Sequence, residues 1–359
     1  MPPVDRVTAE AFRVPTEAPE SDGTACWEAT TAVVVRALGG GAEGLGYSYT
    51  HTGAAHVVRD VLAPIVEGID AMAVQAAAAR MGQAIRNLGR PGIASCAVSA
   101  VDAALWDLKA KLLGVALVDL LGAARASVPV YGSGGFTSYD KRTLAAQAAG
   151  WADAGIGMVK IKVGTRPSED VGRVADVRDA VGDAVALMVD ANGAYSAKQA
   201  IAKADLFARL GVDWFEEPVS SDDLAGLAFV RGRTPMDVAA GEYGHDASYF
   251  RAMLAAGGVD VLQADATRCG GPTGFLKAAA LAEGFHARLS SHCAPSLHLH
   301  LCCASAPVVH LEWFHDHVRL ESLLFDGVAA PQGGRLAPDR SRPGLGITLK
   351  EQDAARYAV

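Results

Sequence analysis

The sequence predicts an α/β fold: a closed (β/α)8-type barrel of parallel strands, with an α+β N-terminal domain capping one end. Three observations carry this. Eight short apolar runs follow one another from Val128, at 128–134, 158–164, 186–193, 214–218, 237–242, 259–265, 287–292 and 308–313. Their starts lie roughly 20–30 residues apart, the length of one β/α unit, and Ala-rich helical stretches separate them. The ends of these runs carry the ionisable residues, and the first run is not followed by the Gly-x-Gly-x-x-Gly turn that an open doubly wound nucleotide-binding sheet would need.

Composition sets the frame. The chain has 359 residues, half of them apolar, enough for one large core and a smaller domain. Aromatic residues are sparse at 6% while Gly and Ala are abundant, which suits helices packed closely on a sheet. The formal net charge of −8 opposes a nucleic-acid partner. Six cysteines, Cys26, Cys96, Cys269, Cys293, Cys302 and Cys303, form no Cys-x-x-Cys pair and read as free thiols of a reducing compartment. The start, MPPVDRVTAE, has no basic and apolar leader, and no apolar run reaches the ~18 residues of a membrane span. A soluble, cytoplasmic protein with no membrane partner is expected.

Residues 1–125 are expected to form the cap. Segments 7–15 and 29–38 read as strands, joined through the polar stretch 20–26 as a hairpin with a flexible tip. Residues 44–53, GLGYSYTHTG, read as a second Gly-rich polar loop. Helical stretches follow near 54–68, 71–87 and 94–113; in the last, Val98, Val101, Leu105, Leu108 and Leu112 recur at helical spacing. Residues 126–320 form the barrel. The Gly- and Pro-rich segment 321–359 lacks the barrel pattern and is expected to return to the cap.

The barrel runs end in Lys162, Asp190, Glu216, Glu242, Asp265, His292 and Glu312. The C-terminal ends of barrel strands ring one mouth, so these groups converge. Alternation in VKIKV sets Lys160 and Lys162 on one face, opposite Val159, Ile161 and Val163. The same parity groups Asp190 with Asn192, Gln263 with Asp265 and Ser290 with His292. Asp190, Glu216 and Glu242 follow at steps of 26 residues, one β/α unit each. A lone acid at a strand end is most often a helix N-cap; three in register, without Cys or His, suit a hard cation, and Mg2+ is the expected metal. His292 alone would more often be structural, but Asp265 on the preceding strand can orient its ring for acid or base work. His298, His300, His310, His315 and His317 read as structural or rim residues. Glu217, of opposite parity to Glu216, reads as a residue behind the metal site.

Taken together, the K-x-K of VKIKVG, the D-A-N of VDANGAYS, the E-E-P of WFEEPV, the G-E of AAGEY, the aspartate of LQADATRCGGPTG, the S-S-H of LSSHCAP and the glutamate of HLEW resemble the enolase superfamily and, within it, the mandelate racemase subgroup. The resemblance covers nearly the whole chain. It implies a TIM-like, modified (β/α)7β barrel, with Asp190, Glu216 and Glu242 holding Mg2+. Lys162 would be a base on one face of the substrate, with Lys160 lowering its pKa and neutralising the carboxylate. His292, paired with Asp265, would serve the other face. Glu312, protonated, would donate to the enolate-like oxygen, and Asn192 would help bind substrate. A homo-oligomer is also implied. One departure is Arg268, where the subgroup often carries lysine; a guanidinium keeps the charge but is no base.

The expected substrate is a small hydroxylated carboxylic acid that loses the proton beside its carboxylate. Cap loops 20–28 and 46–54 would close the cavity, with Tyr47, Tyr49 and His51 as polar contributors and Tyr47 and His51 as substrate-binding candidates. Acid-sugar dehydration ranks first, racemisation or epimerisation second and lactone cycloisomerisation third. A binding or scaffold protein on the same fold is the reading from another class.

Overall fold

A computed structural model describes residues 2–359. The first domain opens with a meander of three antiparallel strands, β1 (Arg6–Ser21), β2 (Cys26–Gly39) and β3 (Ala42–Tyr49). β1 and β2 run past the expected strand ends, so the hairpin tip shrinks to 22–25 and projects as a long two-stranded arm. The helix Ile93–Leu113 lies across this sheet.

Residues 44–49, expected in a loop, are instead part of strand β3. The glycines that suggest a loop serve close packing. A Cβ on Gly44 would stand 2.1 Å from the carbonyl oxygen of Ala104, and one on Gly46 2.2 Å from that of Ala100. Only glycine lets the strand approach that helix backbone so closely. The expected helices are present as Gly53–Val57, a π-helical turn Val58–Leu62 and Ala63–Val66, then Val74–Ala84 and Ile93–Leu113; a short helix, Leu117–Leu121, has no counterpart in the sequence reading.

Eight parallel strands then close on themselves: β4 (Val128–Gly134), β5 (Met158–Lys162), β6 (Ala186–Asp190), β7 (Val212–Glu216), β8 (Asp237–Ala240), β9 (Val261–Ala264), β10 (Arg288–Ser291) and β11 (Val308–Phe314), with β11 pairing back to β4. A helix lies between each successive pair, and another, His315–Leu324, follows β11. Short polar caps start several of them: Asp140, Ser196, Asp223 and Asp246 each accept from a backbone N–H of the first turn, and Ser196 with Gln199 forms a capping box. Such stops let strand and helix alternate within so few residues.

Alternation along the strands stratifies the barrel interior. An apolar plug of Tyr131, Met188, Trp214, Ala239 and Val261 fills its lower part. One or two inward positions further along come Lys160, Asp190, Glu216 and Glu312, each at most 1% exposed. The tail runs back over both domains. Arg335–Leu336 pairs antiparallel with β4, Leu345 N–H donates to buried Asp107 at 2.6 Å, and Ala358 bridges to Phe12. No helix among the described residues is long and apolar enough to cross a membrane. All six cysteines are free thiols.

Candidate active site

The ends of β5, β6 and β7 lie level, with Lys162 beside Asp190 and Asp190 beside Glu216. Lys160 Nζ donates to both oxygens of Glu216 at 2.6 and 2.7 Å and lies 2.9 Å from Glu312 Oε1. Lys162 Nζ donates to Asp190 Oδ2. Trp214 Nε1 adds a donor to Glu216 at 3.0 Å. Across the mouth, His292 Nδ1 meets Asp265 Oδ2 at 2.8 Å, leaving Nε2 3.2 Å from Glu242 Oε2 and 3.3 Å from Cys293 Sγ. Arg268 reaches Glu242 at 3.3 Å and Asp265 at 3.6 Å.

The backbone is strained where these groups are presented. Among the described residues, five non-glycine positions have positive φ, and four of them, Asn192, Glu217, Cys293 and Ala294, directly follow β6, β7 and β10. Left-handed conformations at non-glycine residues are costly and persist where surrounding structure holds them. Here the Asp190 carboxylate accepts the Asn192 N–H at 2.8 Å and the Glu312 carboxylate accepts the Cys293 N–H at 2.6 Å, so Asp190 holds the turn after its own strand and Glu312 the turn after the neighbouring β10.

Single ligand oxygens of Asp190, Glu216 and Glu242 lie within 4.8 Å of one another. Six buried carboxyls (Asp190, Glu216, Glu217, Glu242, Asp265 and Glu312) face four cationic side chains (Lys160, Lys162, Arg268 and His292). Glu216 is pushed up to about 8, by burial first and then by Asp190, and burial with Glu242 pushes Glu217 well up. Buried oxygens of Glu217, Glu242 and Asn192 have no hydrogen-bond partner. Two surplus acids, unpaired oxygens and an all-oxygen donor set are what a hard divalent cation would satisfy.

Other shifts bear on proton chemistry. Burial opposes charge on both lysines, but Asp190 outweighs it at Lys162, and Glu216 with Glu312 outweighs it at Lys160, so both stand above the ordinary range as ammonium groups. His292 is also raised: burial lowers it, and Glu242 and Asp265 more than compensate. Glu312 runs against expectation. The resemblance implies a protonated donor; instead Glu312 accepts from Ser133 at 2.6 Å and from the Cys293 N–H, and Lys160 and His292 overcome burial to hold it below the usual carboxylate range.

Lys162, Asn192, Glu242, Arg268, His292 and Glu312 line one cavity of about 340 Å3 between barrel and cap, with Lys160, Asp190, Glu216 and Asp265 directly behind. Two substrate-binding candidates lie elsewhere. Tyr47 is fully buried below the cavity; its hydroxyl donates to Glu321 at 2.6 Å and accepts from the Leu297 N–H. His51 is exposed and turns back to accept from the Gly53 N–H at 3.1 Å. Tyr49, two positions beyond Tyr47 on the same face of β3, lines the cavity instead, stacked on His317 at 3.5 Å between ring centroids. Trp27, Phe314 and His317 also line it and are not singled out by sequence reasoning as substrate contacts. Their signal, aromatic residues beside a loop or strand end in an aromatic-poor chain, is shared with ordinary core positions. His298 and His300 are structural as expected, each bridging backbone groups. A larger cleft of about 570 Å3, between the loops after β4 and β5, holds none of these groups.

Comparison with known proteins gives a consistent result. Residues 7–122 match the model of the mandelate racemase / muconate lactonizing enzyme N-terminal domain, and residues 143–354 match that of the enolase C-terminal domain-like family. The chain is 35% identical to the 3,6-anhydro-alpha-L-galactonate cycloisomerase of Streptomyces coelicolor over 99% of both chains. A crystal structure of a mandelate racemase/muconate lactonizing enzyme-like protein from Rubrobacter xylanophilus superposes with a TM-score of 0.98, at 52% identity, covering 99% of this chain and 100% of that one. The L-talarate dehydratase of Polaromonas sp. JS666, complexed with Mg and L-glucarate, superposes with a TM-score of 0.91 at 32% identity, covering 100% and 98%.

Proposed function

The chain belongs to the mandelate racemase / muconate lactonizing enzyme family of the enolase superfamily, and from that premise we propose that it is a Mg2+-dependent acid-sugar dehydratase, removing the proton beside a carboxylate to give a 2-keto-3-deoxy acid. The observation that carries this is the pairing of an all-carboxylate cluster on β6, β7 and the loop after β8 with a lysine and an Asp-held histidine opening onto one cavity.

Asp190, Glu216 and Glu242 hold the cation. When bound there, Mg2+ supplies Lewis-acid stabilisation of the charge that develops on the substrate carboxylate. Lys162 acts as the base on the α-carbon. Asp190 is the charge that holds it protonated; once Asp190 is neutralised, burial and Lys160 both favour the free amine. His292, oriented by Asp265 through Nδ1, presents a protonated Nε2 to the other face. The α C–H pair forms a carbon–carbon double bond, the β C–O bond breaks, the α-proton goes to Lys162 Nζ and the departing oxygen takes the proton of His292 Nε2. The enol then ketonises. Lys160 shares the carboxylate charge, and Glu312 fixes Lys160 and the Cys293 turn.

A second reading, cycloisomerisation, uses the same bond changes with a ring ether or lactone oxygen as the leaving group; the full-length likeness to a cycloisomerase favours keeping it. The test is a library of acid sugars incubated with enzyme and Mg2+ in D2O. Mg2+-dependent appearance of keto acid with one deuterium at C3, the carbon that lost its hydroxyl, is expected. Exchange with stereoinversion and no keto acid would mark a racemase. Thermal stability indifferent to both EDTA and Mg2+, with no exchange on any acid, would return the protein to a scaffold role.

A further inference from the structure

The cavity has two unlike ends. The three carboxylates of the cation cluster come from β6, β7 and the end of β8. Diametrically across the barrel lie β11 and β4. That side of the cavity is aromatic: Phe314 ends β11, Trp27 hangs over it from β2, and Phe136, just past β4, packs behind both, with ring centroids at 5.6 Å from Trp27 and 5.7 Å from Phe314.

Two polar groups of this wall are already committed. Trp27 Nε1 donates to Glu20 at 2.9 Å, and Thr30 Oγ1 donates to Asp316 at 2.6 Å. Both acceptors are buried acids, Glu20 at 1% and Asp316 at 0% exposure, and the cation behind them, Arg319, is paired with Asp316 at 2.8 Å. Glu20 is already pushed up to about 8 by burial and then by Asp316. The cations that line the cavity stand elsewhere: Lys162 and His292 belong to the reacting carbons, and Arg268 is taken by Glu242 and Asp265. His317 accepts the Ala294 N–H through Nδ1 and burial pushes its pKa down to about 3, so it is a neutral ring. Hydroxyl recognition is nonetheless provided for: the buried Tyr49 hydroxyl on the cavity has no partner.

On the acid-sugar reading, we infer that the substrate carries a single carboxylate, and that its far end is uncharged and turns C–H surface, such as an anhydro ring or a deoxy terminus, to Trp27 and Phe314. A dicarboxylate would place its second charge against aromatic faces, with the neutral Tyr49 and His317 but no unpaired cation to receive it and two buried acids behind, and desolvating a carboxylate without a counter-charge is costly. Sugar C–H surface covers the same rings favourably.

Configurationally matched pairs of mono- and dicarboxylic sugar acids, including anhydro and deoxy monoacids, decide the matter in two assays: kcat/KM with Mg2+, and calorimetric binding in Mg2+. A preference of about 100-fold or more for monoacids is expected in kcat/KM, with binding in the same order. Trp27→Arg is expected to narrow that preference by about tenfold or more, by placing a cation on the wall. Dicarboxylates processed or bound as well as their matched monoacids would overturn the inference while leaving the enzyme reading intact, as would an unchanged preference in Trp27→Arg. Absence of α-proton exchange and of binding for every acid would overturn both.

Discussion

Lys162 can take a proton only as a free amine, yet Asp190 holds it as an ammonium. A change at either end of the acid–base pair therefore tests the assignment directly. Lys162→Ala and His292→Asn are each expected to lower kcat by about 10³-fold or more on the preferred acid, with Mg2+ still raising the melting temperature; full turnover in either variant would remove that residue from its role. At this scale the ionisable set was legible in the sequence, because strand parity and β/α spacing bring side chains together whatever lies between. Protonation was not legible. Glu312 is a carboxylate here because Ser133, the Cys293 N–H and Lys160 all meet it, and these contacts come from other strands and turns with no sequence pattern linking them. Tyr47 and Tyr49 share a face of β3, so parity could not separate the buried structural tyrosine from the one on the cavity.

Among the elements, β3 departs most from expectation, and its two glycines explain why. In the sequence they carry a loop signal, but in the fold they permit strand–helix contact at distances no Cβ allows. Gly46→Ala sets a methyl 2.2 Å from the Ala100 carbonyl oxygen and 2.4 Å from the Ala104 nitrogen, both backbone atoms of a buried helix. A loss on the order of 2 kcal/mol is expected, read as a lower denaturation midpoint at unchanged m-value; a wild-type midpoint would mean that the sheet and helix can separate freely. Barrel strands, by contrast, were legible to within a few residues, since all but β4 are short apolar runs that lead into an ionisable residue.

For the whole molecule, buried acids away from the cavity couple folding to pH. Asp102, wholly buried in the helix Ile93–Leu113, is pushed up to about 7 by burial, although Thr273 gives it two hydrogen bonds that pull the other way. Its folded pKa exceeds the ordinary carboxylate value, so the folded state binds the extra proton. The stabilisation is fully present below the ordinary value near 4 and is lost as pH rises to about 7, at up to roughly 1.4 kcal/mol per pH unit. In Asp102→Asn, stability relative to the wild-type chain should climb as pH rises from 4 to 7 and level off above. Denaturant unfolding across that range checks it; a pH-independent difference would show that Asp102 is ionised throughout. Nothing in the sequence marks Asp102 for this, because its burial depends on a contact with residue 273 across the domain boundary.

The hairpin tip seats on the barrel rim so closely that a Cβ on Gly23 would meet the Ala191 carbonyl oxygen at 2.2 Å, and Thr137 and Thr165 both donate to the Asp22 carbonyl. Part of the wall that would meet the remote end of a bound acid, Trp27, is thus spliced in from the first fifty residues, while Phe314 and the groups that move protons belong to the barrel. Any side chain at position 23 would press on the turn that follows Asp190, so the tip is a place where a change in the cap is expected to reach the metal site.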